Sequence, residues 1–196
     1  MGLREPAALR VVHEDARLVV IDKPSGLLSV PGKGEAGRHN VETLLAQKRS
    51  WVRMAHRLDQ ATSGLLLAAK DIDALRMLQR AFREAQVHKV YEAVLERPPP
   101  LSSGEVVLWT RLDVDNRPKQ VVDPVHGKRG LTRWQCVRDR RLRLWPLTGR
   151  THQLRVHMAH AQGLGIPILG DRLYGSEGSG ADRLHLYACE LRFSHP

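Results

Sequence analysis

Asp59 has the setting that most suggests chemistry. Between Thr43 and Lys70 it is the sole acid, against Lys48, Arg49, Arg53, Arg57 and Lys70. A carboxylate among cations is favoured as the anion, the form that attacks carbon or removes a proton. It lies in His56-Arg57-Leu58-Asp59-Gln60-Ala61-Thr62-Ser63-Gly64, a polar turn ahead of the apolar run Leu65-Leu66-Leu67. The same residues also describe an Asx turn in which Asp59 bonds only local amides. A second segment is Leu147-Thr148-Gly149-Arg150-Thr151-His152-Gln153-Leu154-Arg155-Val156-His157. It falls in the window Lys128–His160, which holds nine Lys and Arg residues and one acid, Asp139. On a helix Gln153, Leu154 and Arg155 cannot share one face. Leu154 would then enter the core or a pocket floor while Arg150 and Arg155 point towards an anion; the competing reading is a solvated basic helix.

Other patterns carry less. Gly32-Lys33-Gly34-Glu35-Ala36-Gly37 matches G-x-G-x-x-G, with Asp59 about twenty residues on. A dinucleotide site needs a buried strand ahead of the glycines and an apolar strand ending at the acid. Ser50–Leu58 contains Arg53, His56 and Arg57 and is no such strand, so the glycines read as a loop. His152, His157 and His160 share a helix without H-E-x-x-H spacing and with arginine neighbours, so no metal is expected. Ser63 is not in a nucleophile elbow.

Short strands and two or three helices must position these segments. Strands are expected at Leu9–His13, Leu18–Asp22, Leu65–Ala69, Val90–Leu95, Gly104–Trp109, Leu131–Val137, Leu142–Leu147 and Leu184–Phe193. Helices are expected at Val41–Lys48, capped by Asn40, from Asp71 to Gln86, and at Thr151–Ala161. Many strands with few helices between them indicate an α+β fold on a mainly antiparallel sheet.

The 196 residues carry 31 Lys and Arg against 21 acids, a net charge of +10. Such an excess favours a polyanion, because each neutralised phosphate releases counterions. Cys136 and Cys189 form no C-x-x-C and suggest neither disulfide nor zinc. No apolar run spans a bilayer and the N-terminus has no signal core, so a cytoplasmic protein without membrane association is expected.

Together the two segments resemble the RluA family of RNA pseudouridine synthases, which carries H-R-L-D-x-x-T-S-G and, later, G-R-x-H-Q-L-R-x-H. Asp22-Lys23-Pro24-Ser25-Gly26 is similar to its K-P-x-G element and Lys89-Val90-Tyr91 to its K-x-Y element. The resemblance runs from about Val11 to the end. Leu27–Pro31, Asn116–Gln120 and Pro167–Asp171 are most like the dual-specificity branch, which acts on rRNA and tRNA. Ile166 departs from the family, which has histidine there. Residues 1–196 are expected to be one catalytic domain with no S4 domain before it. The family usually continues beyond the point matching Pro196, which implies a further terminal strand.

The resemblance implies a mixed, mainly antiparallel sheet with helices and loops around a central cleft. It implies conversion of uridine to pseudouridine in a structured rRNA or tRNA stem-loop, with no cofactor or metal and with the protein as a monomer. It makes Asp59 the catalytic residue, as nucleophile at ribose C1′ or as base at C2′; both routes stay open. Arg155 would pair with Asp59, Tyr91 would stack on the uracil and assist loss of the C5 proton, and Leu154, Thr62 and Ser63 would line the pocket. Arg57 would fill the gap left by the flipped uridine. His56, Lys119, Arg150, His152 and Gln153 would contact RNA, with the Arg138–Arg143 cluster on phosphates. A non-catalytic RNA-binding module of the same fold explains the charge but not the lone Asp59 or Tyr91.

Overall fold

The computed structural model describes residues 9–176 and 180–196. They fall into two compact units, one running up to Gln86 and including Ser194–Pro196, the other Val87–Phe193.

In the first unit β1 (Arg10–Glu14) and β2 (Leu18–Lys23) form an antiparallel hairpin. Helix α1 (Val41–Ala46) follows, with the Asn40 side chain accepting the Thr43 amide at 2.9 Å, the cap its sequence promises. The two-residue β3 (Arg53–Met54) and β4 (Ser63–Ala69) then pair, and β4 also pairs with β2 in the register Ile21↔Leu66 and Lys23↔Gly64. Leu18, Val19, Ile21 and Leu66–Ala69 are buried; burying each larger aliphatic side chain contributes roughly 1.5–3 kcal/mol. Helix α2 (Ile72–Arg83) is capped by Asp71, whose carboxylate accepts the Asp73 and Ala74 amides, and it buries Ala74 and Leu78 against β4. It stops short of Gln86 because Ala85 turns left-handed (φ 56°). The Gln86 amide then bonds back to the Ala81 carbonyl and that of Ala85 to Phe82, a Schellman closure without glycine.

The second unit contains β5 (His88–Val94), β6 (Ser103–Leu112), β7 (Gln120–Val122), β8 (Lys128–Arg138), β9 (Arg141–Pro146), α3 (Gln153–Ala159) and β10 (Leu186–Arg192). Its strands pair antiparallel in the order β10-β5-β9-β8-β6-β7. Val106, Leu108, Thr132, Trp134, Leu142 and Leu144 share the buried face, on which α3 packs against β6, β8 and β9. The α+β, mainly antiparallel architecture is the expected one. β3, β7 and the 3-10 turn Glu35–Arg38 lie outside the elements expected from sequence, all being four residues or shorter and without usable periodicity.

Candidate active site

Asp59 sits half-buried between β3 and β4, and its neighbours' main chain is pinned on both sides. Ser29 Oγ donates to the Leu58 carbonyl at 2.8 Å and accepts the Leu58 amide at 3.0 Å. Lys23 Nζ donates to the Gln60 carbonyl at 3.0 Å, and to the carbonyls of Pro24 (2.9 Å) and Leu27 (2.7 Å). The Gly26 amide bonds the same Gln60 carbonyl at 2.8 Å, and Ser25 Oγ donates to the Ala61 carbonyl at 2.7 Å. The Lys-Pro-Ser-Gly turn is therefore sewn to the residues that follow Asp59. Lys23 is 0% exposed. Burial pushes its ammonium down to about 8, against the negative charge of Asp59, which favours the charged form. Ser29 had no signal in the sequence: a lone loop serine becomes a clamp only through a contact 29 residues away.

Thr62 and Ser63 are buried in the same turn and at the start of β4. Arg57 is exposed. His56, expected to meet RNA, is instead committed to the protein: its Nε2 accepts the Leu67 amide at 3.1 Å and its ring stacks on Phe82 at 4.5 Å. The Gly32–Gly37 segment closes on itself, the Gly32 amide bonding the Gly37 carbonyl at 3.0 Å. A Cβ on Gly37 would lie 2.3 Å from the Gly32 main chain. These glycines serve a self-packed loop and leave no room between them for a dinucleotide.

In the second unit, Tyr91 lies half-buried on β5, opposite Leu144, on the face that carries α3. Burial lowers the pKa of the nearby Lys89 ammonium. Helix α3 is shorter than expected and enclosed: every residue from Gln153 to Met158 is buried. That overturns the reading of a solvated basic helix. Arg155 is 4% exposed and grips Asp171, itself 4% exposed, through Nε–Oδ2 at 2.8 Å and Nη2–Oδ1 at 2.6 Å. Such a bidentate pair fixes both position and plane of the guanidinium. Its carbon stands 5.2 Å from the centre of the Tyr174 ring.

Tyr174 is a functional candidate that the sequence did not disclose. Its hydroxyl lies 2.7 Å from His152 Nδ1 and accepts the Gln120 amide at 2.7 Å, so one side chain ties the end of the Asn116–Gln120 turn to the entry of α3. His152 is left-handed (φ 53°), a strained conformation for a non-glycine residue, and is buried with its ring on Tyr174. Gln153 is engaged within the protein as well. Its Nε2 donates to the Leu131 carbonyl and Thr132 Oγ1, and its Oε1 accepts from Thr148 Oγ1 and the Arg150 amide. All four hydrogen-bonding sites of the amide are used within the protein, so it braces the 148–153 turn and has none left for RNA. Arg150 and Lys119 are exposed. Leu154 is buried.

Residues 17–160 match the family model described as RNA pseudouridylate synthase. The chain belongs to the RNA pseudouridylate synthase family. It is an isomerase that converts uridine to pseudouridine in RNA. It is 43% identical over 192 residues to the dual-specificity RNA pseudouridine synthase RluA of Vibrio cholerae serotype O1, covering 95% of this chain and 77% of that one. Identity to the enzyme of the same name from Haemophilus influenzae is 40% over 195 residues, 96% of this chain and 88% of that one. Among solved structures, human RNA pseudouridylate synthase domain containing 1 superposes with a TM-score of 0.82 at 26% identity, over 100% of this chain and 82% of that one.

Proposed function

We propose that this synthase acts on a uridine in a short rRNA or tRNA stem-loop, with Asp59 as its catalytic carboxylate. The dual specificity for which the similar enzymes are named supports that substrate class. The observation that carries the catalytic assignment is the clamp on Leu58 and Gln60, which fixes the main chain either side of Asp59. Preorganisation of this kind is what a group needs if it is to meet one carbon of a bound substrate. The ribose C1′–N1 bond breaks, the uracil turns, C1′ joins C5, the C5 proton leaves and N1 gains a proton. Atoms and electrons balance with no redox partner. Asp59 serves as nucleophile at C1′ or as base at C2′.

Arg155 is proposed as the counter-charge to Asp59, its plane set by Asp171 and Tyr174. Tyr91 stacks on the flipped base and assists loss of the C5 proton. Arg57, exposed beside Asp59, replaces the flipped base in the stack. The protein acts as a monomer in the cytoplasm, where its RNA substrates are.

The test is to incubate the purified chain with an anticodon stem-loop and assay for pseudouridine, with Arg57→Ala compared on that hairpin and on a loosened loop presenting the same uridine. Product on the isolated hairpin, and a larger Arg57→Ala loss there than on the loosened loop, are expected. Modification of assembled ribosomal RNA alone would exclude the small-substrate reading, and equal Arg57→Ala losses would exclude the replacement role.

A further inference from the structure

The sheet of the second unit has another face, and its composition is unlike a solvated surface. Residues directly opposite in antiparallel strands point to the same side. The register sets Trp109 opposite Arg129, Val107 opposite Leu131, Glu105 opposite Arg133 and Arg133 opposite Trp145. Their sequence neighbours Val106, Leu108, Thr132, Trp134 and Leu144 are the buried residues of the α3 side. The two indoles and two aliphatics therefore lie on the side opposite α3, as a strip across β6, β8 and β9, flanked by arginines. This face meets solvent: Trp109 is 39% exposed and the Arg133 side chain 62%. Half-exposed tryptophans flanked by guanidinium groups are costly as mere surface, since aromatic side chains gain by burial and exposed arginines solubilise as well without them.

We propose that this face is a second RNA-binding surface, which holds single-stranded RNA flanking the reacting stem-loop. The inference rests on the RNA substrate reading but uses none of the residues assigned to catalysis. Indole faces stack on bases of any sequence, and arginines beside them meet the phosphates that run between those bases. The ion pair between Arg133 and Glu105 is an exposed one, of the kind that contributes little and exchanges readily for a phosphate. A second copy of this chain fits the face less well, because it would bring the same arginines against each other in a protein already at +10.

The experiment compares two RNAs on the full chain: an anticodon stem-loop, and the same stem-loop with a single-stranded oligouridylate tail of about ten nucleotides, within the roughly 4–16 that a stacking surface occupies. The tail is expected to tighten wild-type binding about tenfold. Arg129→Ala/Arg133→Ala and, separately, Trp109→Ala should abolish that gain and leave affinity and turnover on the bare hairpin within twofold. In the unaltered protein, a 4-thiouridine in the tail should crosslink to β6, β8 or β9. A tail that adds no affinity, equal losses on both RNAs, or crosslinks confined to other segments would overturn the proposal. So would Trp109→Ala dissociating an oligomer with tail affinity unchanged, which would make the face an interface between copies. Tail-dependent binding is read without turnover, so its presence with no pseudouridine formed would uphold this face while refuting the substrate reading.

Discussion

The turn that holds Asp59 and the helix that holds Arg155 are built on opposite plans. Around Asp59 the fixing contacts are to main-chain carbonyls and amides, made by Lys23, Ser25, Gly26 and Ser29. Around Arg155 they are side chain to side chain: Asp171, Tyr174 and His152 form a largely buried polar network. A residue whose neighbours' backbone is clamped can be exchanged at small structural cost. A residue whose own side chain is the keystone of a buried network cannot, because removing it strands its partners. Asp59 should thus separate chemistry from folding, and Arg155 should not.

The largest effect expected from this difference is that of Arg155→Ala. With almost no solvent access and, among the described residues, only the Leu173 and Tyr174 amides left to it, Asp171 becomes a buried charge without its counter-ion, a cost of about 3–5 kcal/mol. Urea unfolding should report that loss. Turnover should fall as well, in kcat at saturating RNA, and a change confined to KM would demote Arg155 to a phosphate contact.

A comparable effect should come from pH. Both ring nitrogens of His157 are buried without a hydrogen-bond partner among the described residues, and burial holds its pKa at about 4. A Cβ on Gly130 would approach its Nε2 to 2.8 Å, so the ring fits only over glycine. Below the ordinary imidazole pKa of about 6.5 the unfolded chain takes up a proton that the folded one refuses. The stability contributed by a neutral His157 is thus complete above about pH 6.5 and is lost as the pH falls towards 4, by about 3 kcal/mol. Glu14 and Asp123, held at about 2 by Arg49 and Arg111 respectively, lose their contribution at more acid pH, below the ordinary carboxylate range. His157→Leu should flatten the slope between pH 6.5 and 4.5; an unchanged slope would place its origin elsewhere.

Lys23→Met should follow, with about 2–3 kcal/mol lost as the Pro24 and Leu27 carbonyls lose the Lys23 donor and the Gln60 carbonyl is left with the Gly26 amide. Because the Gln60 carbonyl is one of those affected, kcat should drop too, and full activity at a temperature where the variant stays folded would break the clamp argument. Tyr174→Phe is expected to be the mildest, about 1 kcal/mol. It keeps the ring beside Arg155 and removes the bonds to His152 and Gln120. Its mark should be a raised KM at near-normal kcat, since it loosens the Asn116–Gln120 turn and not the guanidinium. A fall in kcat with KM unchanged would contradict that division.

The same contrast explains what the sequence could disclose. The Asp59 turn was legible because charge isolation, turn residues and a following apolar strand lie within ten positions. The cap by Asn40 and the existence of α2 were legible for the same local reason; which of its residues turn inwards was not, Ala74 being buried and Ile72 exposed. Arg155 could be picked out, but Asp171, Tyr174 and Gln120 could not be joined to it, being 16, 19 and 35 positions away with no periodic signal. The protein hydrogen bonds of Gln153 and His56 were not legible, because an isolated motif does not say where a polar side chain will spend its hydrogen bonds. The enclosure of α3 depends on β6, β8 and β9 closing over it, and seven residues of helix carry no pattern long enough to announce that.

Asp59 is proposed to supply the chemistry from a turn whose main chain is held by other residues. The most direct measurement is the single-turnover rate of Asp59→Asn on a stem-loop substrate, taken with its RNA affinity and unfolding free energy. No detectable pseudouridine, affinity within about threefold of wild type and stability within about 1 kcal/mol are expected. Pseudouridine formed by the variant at near the wild-type rate would contradict that role for Asp59.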